Sequence, residues 1–336
     1  MVGILPKQHI QDLIKAGAVS AKKRIGSTQI QPASLDLRLG TTAYRIRASF
    51  LPGTGRRVSD CLTDALVMHK VDLSEGAVLE TGCVYLVPLM EGLELPAGIS
   101  AAANPKSSTG RLDVFTRVIC DGADAFEAIG AGYKGPLYVE IAPRTFSVLA
   151  HAGEKLVQLR FRRGTAKIHN TLTVSIDLSG TGTIGYRAKR HAGLVNLAGI
   201  GRHNILDYWE PLRARSETLV LDPEEFYILA SKESVVIAQN QAAEMSPIAP
   251  EIGEFRAHYA GFFDPGFGME SAGGKGARAV LEVRGRDVPF LLRDGQPVAK
   301  LVYEDMEAVP ETLYGEGGKS HYQAQGLRLS KHFKMD

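Results

Sequence analysis

Cysteine is scarce: Cys61, Cys83 and Cys120 are the only three in 336 residues, and they stand far apart. That excludes a disulfide framework and a C-x-x-C metal clip. No apolar run reaches the roughly 18 residues needed to cross a bilayer. The opening MVGILPKQHIQDLIKAG puts charged and amide side chains inside its apolar stretch, unlike a signal peptide, so a cytoplasmic protein is expected. Charge of one sign is also lacking: 39 Lys and Arg against 37 Asp and Glu leave a net +2. That is too little for the broad phosphate-neutralising surface of a dedicated nucleic-acid binder, although a local cluster for one nucleotide remains open. Long helical patterns are few, which excludes the alternating strand and helix of a parallel α/β protein.

What is present is β texture. After one helical segment, in which Pro6 precedes an Ile10, Leu13, Ile14 stripe and Gly17 ends it, short β-branched or alternating runs follow. Examples are SLDLRLG (34–40), CVYLVPL (83–89), PLYVEIA (136–142), KLVQLRF (155–161) and TLTVSID (171–177), separated by turn residues among 36 Gly and 16 Pro. The expected fold is all-β with a few short helices.

The chain also repeats itself. Residues 135–161 lie over 277–303 without a gap, setting Glu140 on Glu282, Leu149 on Leu291 and Gly153 on Gly295. Upstream, 83–107 is echoed by 225–247. A period near 140 residues is domain-sized, so the pattern is a tandem duplication and not a solenoid. The link is expected in the Gly-rich polar stretch 164–202. The first module is placed at 1–175, the second at 203–336, and 176–202 is read as a linker or tail of the first.

One cluster stands out chemically. NPKSSTGR (104–111) offers Lys106, Ser107, Ser108 and Arg111, two cations and two hydroxyls within six residues. A triphosphate needs charge-assisted donors at that density, and Arg grips it with a planar fork; solvated loops share this composition, so both readings stand. Glu140 lies in the apolar run LYVEI. On pattern alone it is either an outward carboxylate of an edge strand or a general base whose proton affinity is raised by its setting.

QPASLDLRLG (31–40), NPKSSTGR (104–111) and GYKGPLYVEI (132–141), in that order, with the helix before them and Tyr314…HYQAQG (321–326) after, resemble the dCTP deaminase family of the dUTPase superfamily. The resemblance spans nearly the whole chain if the family module is counted twice. It implies distorted β-barrel modules and trimers with active sites at subunit boundaries. The implied reaction is hydrolytic removal of the C4 amino group of dCTP, with magnesium on the triphosphate and no zinc. It further implies Glu140 as general base, Ser107 and Arg111 as residues that orient the water and polarise the site, and Lys106 and Ser108 as phosphate ligands. Tyr314, His321 and Gln325 match tail residues closing over the triphosphate, although the family more often has Lys at the place of His321. Cys120 falls where the family contacts the base through backbone. The H-x-E and P-C-x-x-C motifs of zinc deaminases are missing.

Two departures bear on the reaction. Copy one has Gly130 where the family has the Asp of Asp-Pro-Gly, an argument against dUTP hydrolysis. Copy two keeps Asp264 and Glu282, but EMSPIAPE (244–251) is read as putting Pro247 at the place of Ser107 and Glu251 at that of Arg111, which would repel a phosphate. The expectation is therefore a dCTP deaminase with one competent site in copy one, its second module degenerate, assembled as a homotrimer. A dUTP diphosphatase, a bifunctional enzyme and a non-catalytic nucleotide-binding protein are the alternatives, and 185–195 competes with 314–326 as the covering tail.

Overall fold

The computed structural model describes residues 2–213, 217–248, 255–258 (backbone), 261–316 and 320–334. Strands dominate, with short helices, as the alternating runs imply. The first helix is Lys7–Lys15, with Pro6 at its N-cap, Ile10 and Leu13 buried, and Gly17 in the left-handed region at φ 76°. None of the described helices is long and apolar enough to cross a membrane.

The duplication is visible strand by strand. One sheet orders Val67–Asp72, Thr42–Ile46, Val84–Glu94, Lys134–Pro143 and Val114–Cys120, with Val19–Ala21 added beside Val84–Glu94. A second sheet repeats that order as Trp209–Arg213, Thr183–Ala188, Phe226–Val235, Ala277–Gly285 and Phe255–His258. Registers agree: Glu140 pairs with Leu86 and Glu282 with Ile228. Likewise Leu149 faces Val78, and Leu291 faces Val220.

Two expectations are corrected by these pairings. Ile168–Ser175 is laddered to Pro297–Asp305, and Thr183–Ala188 is the second strand of the second module's sheet. The module boundary therefore falls at 164–167, not between 175 and 203, and Gly185–Ala188 is a strand of module two and not a covering tail. The stretch reads as linker because Ile168, His169, Asn170 and Thr171 are exposed on an edge strand. Second, Pro105 faces Val157 and Pro247 faces Ala299. Since 157 and 299 are equivalent in the repeat, Pro247 matches Pro105 and not Ser107. The position of Glu251 lies outside the described residues.

The modules share a core. Phe226, Ile228 and Val280 of module two belong to one buried cluster with module one, while Leu281, Val283 and Leu229 fill a separate core of module two. Strand alternation explains the split, because successive side chains leave a strand on opposite faces. Phe146, Trp209 and Phe333 pack edge to face, with ring centres 5.3 and 5.9 Å apart on either side of Trp209. Burying a side chain of that size contributes about 1.5–3 kcal/mol. Ion pairs also join the modules: Arg160 pairs with Asp264, Arg162 with Glu244 and Glu304, Arg163 with Glu307, and Arg284 with Asp113.

Candidate active site

A cavity of about 760 Å³ opens where the modules and the C-terminal segment meet. Its floor in module one is the single helical turn Ser107–Gly110, which follows the strand Ile99–Pro105. Leu156 fixes this turn twice, its carbonyl accepting from Lys106 N and Thr109 Oγ1, each at 2.9 Å. Lys106 is ion-paired with Asp36 of the SLDLRLG run, and Lys155 reaches the other oxygen of Asp36 at 3.7 Å. Lys106, Ser107, Ser108 and Arg111 all line the cavity, so the sequence cluster is a built surface and not a solvated loop.

Arg111 is 3% exposed and held on every side. Its two terminal nitrogens donate to Gln325 Oε1 at 2.9 Å and to the carbonyl of Arg328 at 3.0 Å, and its guanidinium lies 4.1 Å from the ring centre of Tyr322. Its Nε stands 4.0 Å from Oε1 of Glu282. Gln325 in turn donates to Arg278 O at 2.9 Å, tying the tail to the strand that carries the glutamate.

Glu282, and not Glu140, shares the cavity with the Ser107–Gly110 turn and Arg111. Val280 and Glu282 leave Ala277–Gly285 on the cavity side, and both line it. Glu282 is 5% exposed, and burial pushes its carboxyl up to about 8 against the pull of Arg111. Glu140 occupies the same register position of module one but is absent from the cavity lining. Its Oε1 accepts from Arg117 Nη2 at 2.6 Å and Nε at 3.1 Å, and Arg117 is stacked 3.6 Å from the Phe126 ring centre. Glu140 is absent from the cavity that Ser107 and Arg111 line, so the expected grouping of Glu140 with those two residues does not occur among the described residues.

Of the C-terminal segment, Tyr314, His321 and Gln325 line the cavity. Burial raises the Tyr314 hydroxyl's pKa, while burial and the nearby Lys331, Arg328 and Lys106 keep His321 below its ordinary value. Gln323, which drew no attention in the sequence, fastens this segment by donating to the carbonyls of Gly266, Ala272 and Tyr314.

The Asp of Asp-Pro-Gly also joins the cavity. Asp264 lines it, 3.1 Å from Nη2 of the wholly buried Arg160, and burial raises its pKa against that cation. Its counterpart in module one is Gly130, as inferred: Ile129 faces Ala101 where Phe263 faces Ala243. Counting along the neighbouring strand from Arg117 and His258, which face Glu140 and Glu282, Cys120 matches Gly261. Gly261 lines the main cavity, whereas Cys120 and Gly130 line a separate surface hollow of about 440 Å³.

Two dUTPase-like β modules enclosing a cation-rich turn, a buried arginine and a buried carboxylate define a class of two-module β protein with a polar cavity between its copies. The comparisons narrow that class. Family models for the N-terminal and C-terminal domains of 2'-deoxycytidine 5'-triphosphate deaminase match residues 1–165 and 146–333. The chain belongs to the 2'-deoxycytidine 5'-triphosphate deaminase family. A solved structure of 2'-deoxycytidine 5'-triphosphate deaminase from Agrobacterium tumefaciens is 53% identical with a TM-score of 0.87, covering 91% of this chain and 99% of that one. The dCTP deaminase of Halorubrum lacusprofundi is 29% identical over 134 residues, 40% of this chain and 63% of that protein. A relative from Methanobrevibacter smithii, "dCTP deaminase, dUMP-forming", is 23% identical over 165 residues, 49% of this chain and 82% of that protein.

Proposed function

We propose that the chain deaminates dCTP to dUTP and ammonia at one site formed between its two modules, with Glu282 as general base. The observation that carries this reading is the convergence of Ser107, Arg111 and Glu282 in one cavity, with Arg111 Nε 4.0 Å from the carboxylate. A base works best when its pKa lies near the operating pH. In this reading Glu282 takes a proton from a water, the oxygen adds to C4 of cytosine, and the carboxyl returns the proton as the amine departs. Arg111, clamped by Gln325 and the Arg328 carbonyl, presents a fixed charge beside that carboxylate, and fixed charge is what stabilises a tetrahedral intermediate without reorganisation. Lys106, Ser107 and Ser108 would take the phosphates and the magnesium they carry, and Gly261 would meet the base through its backbone. Ammonia release from dCTP and magnesium by the purified protein tests the assignment, and its absence would sink it.

A second reading is favoured by Asp264. Its absence from copy one argued against pyrophosphate release, but Asp264 and the phosphate loop line the same cavity. Quantifying dUMP beside dUTP among the products separates a deaminase from a dUMP-forming enzyme. Both halves of the proposed site belong to one chain, so we infer that turnover needs no second copy. Whether the chain also forms the trimer expected of the family is a matter of mass, read by light scattering.

A further inference from the structure

Beyond the tail residues matched to the family, the segment after Gln325 returns to the phosphate loop. Ser330 is buried and donates to the carbonyl of Ser108 at 2.7 Å. His332 Nε2 lies 3.0 Å from the carbonyl of Leu197, to which it donates. Between them, Lys331 has both backbone groups engaged: its N–H donates to Tyr322 Oη at 3.2 Å, and its carbonyl accepts from Gly201 N at 2.9 Å. The backbone is therefore fixed, and the side chain lines the cavity, half-buried.

The surroundings of this ammonium are unusual for a structural lysine. Lys106 and Lys155 share Asp36, and among the described residues no carboxylate lies within ion-pairing distance of Lys331. Burial and the neighbouring Lys106 hold its pKa below the ordinary lysine range. Asp36 and Glu154 pull the other way from beyond ion-pairing distance, but Asp36 is already paired with Lys106 and Lys155 and Glu154 with His151, so a further anion would still find this cation unpaired. Both tail histidines of the lining, His321 and His332, are kept below the ordinary imidazole pKa by burial and by Lys331, which leaves Lys331 as the tail's standing positive charge among the described lining residues.

We propose that Lys331 is a ligand of the nucleotide's polyphosphate chain, closing the anion subsite opposite Lys106 and the Ser107–Gly110 turn. This rests on the cavity's being the nucleotide site. The test is titration of inorganic tripolyphosphate into wild type, Lys331→Met and Lys331→Arg, followed by dCTP kinetics on each. Methionine keeps the apolar stem and removes the charge. A charge-assisted contact implies about tenfold or greater loss of tripolyphosphate affinity in Lys331→Met. The KM for dCTP should rise in parallel, with kcat held within about threefold; Lys331→Arg should recover most of the loss. Unchanged tripolyphosphate affinity in Lys331→Met, or lowered thermal stability with affinity intact, overturns the proposal. Wild type that binds tripolyphosphate through Lys331 yet releases no ammonia from dCTP refutes the deaminase reading and supports the anion subsite.

Discussion

Glu282→Gln should remove activity and, at the same time, stabilise the protein in a pH-dependent way. The folded state holds this carboxyl at about 8 against an ordinary value of 4.5. Below pH 4.5 the group is protonated in both states and nothing distinguishes them. Between 4.5 and 8 the unfolded chain has lost a proton that the folded chain retains, so stability falls as pH rises, levelling off above 8. At pH 7 the gap is two and a half pH units at about 1.4 kcal/mol each, or roughly 3 kcal/mol. Glutamine keeps the shape and has no proton to take up. Thermal melts of both proteins from pH 4.5 to 8.5 should therefore show the variant gaining several degrees toward the alkaline end and almost nothing at the acid end. Its kcat for dCTP should fall roughly 10²–10⁴-fold, the usual contribution of a positioned base. A stability difference independent of pH would refute the burial of an ionisable carboxyl, and a fully active variant would refute its role as base.

Glu140→Gln should behave in the opposite way: deamination within a few-fold of wild type, but a loss of about 2 kcal/mol as Arg117 gives up its charge-assisted bonds, read by denaturant melts. Full loss of activity in a folded variant would return the base to module one. Mixing inactive Ser107→Ala and Glu282→Gln chains should restore no activity, because both groups serve the same chain's cavity; recovery on mixing would mean that sites are shared between chains. The pH profile of kcat/KM should rise about tenfold per unit toward pH 8 as Glu282 loses its proton, and a profile flat from pH 6 to 9 would contradict it.

Much of this was legible in the residues, for identifiable reasons. The repeat set Glu140 and Glu282 at equivalent positions, but alternation left their facing open, because both strands are buried on both faces there. The Lys106–Arg111 cluster was legible because two cations and two hydroxyls fall within six residues, whereas Tyr314, His321 and Gln325 were reached through the family resemblance alone. Which glutamate meets the loop was not legible, because that depends on how one module docks on the other. The hint lay in the family's boundary-spanning sites: in a duplicated chain, loop and base come from different copies. The register near Pro247 slipped by two residues although the offset of 142 holds on both sides of the stretch, from Leu86 and Ile228 to Pro105 and Pro247; the side chains there are too dissimilar between the copies to mark it.

The distribution of the site over two modules has a consequence for how such a chain can change. In a single-copy protein every module must supply both the loop and the acid, since each serves a neighbour identical to itself. Once two copies share a chain and, as proposed, one shared cavity does the work, each copy is released from half of its obligations. Module one has Gly130 where an aspartate is no longer asked of it, and has turned Glu140 into the partner of a stacked arginine. Module two has kept Asp264 and Glu282 while losing the Lys-Ser-Ser run after Pro247. What must be inherited intact is the seam, not the module.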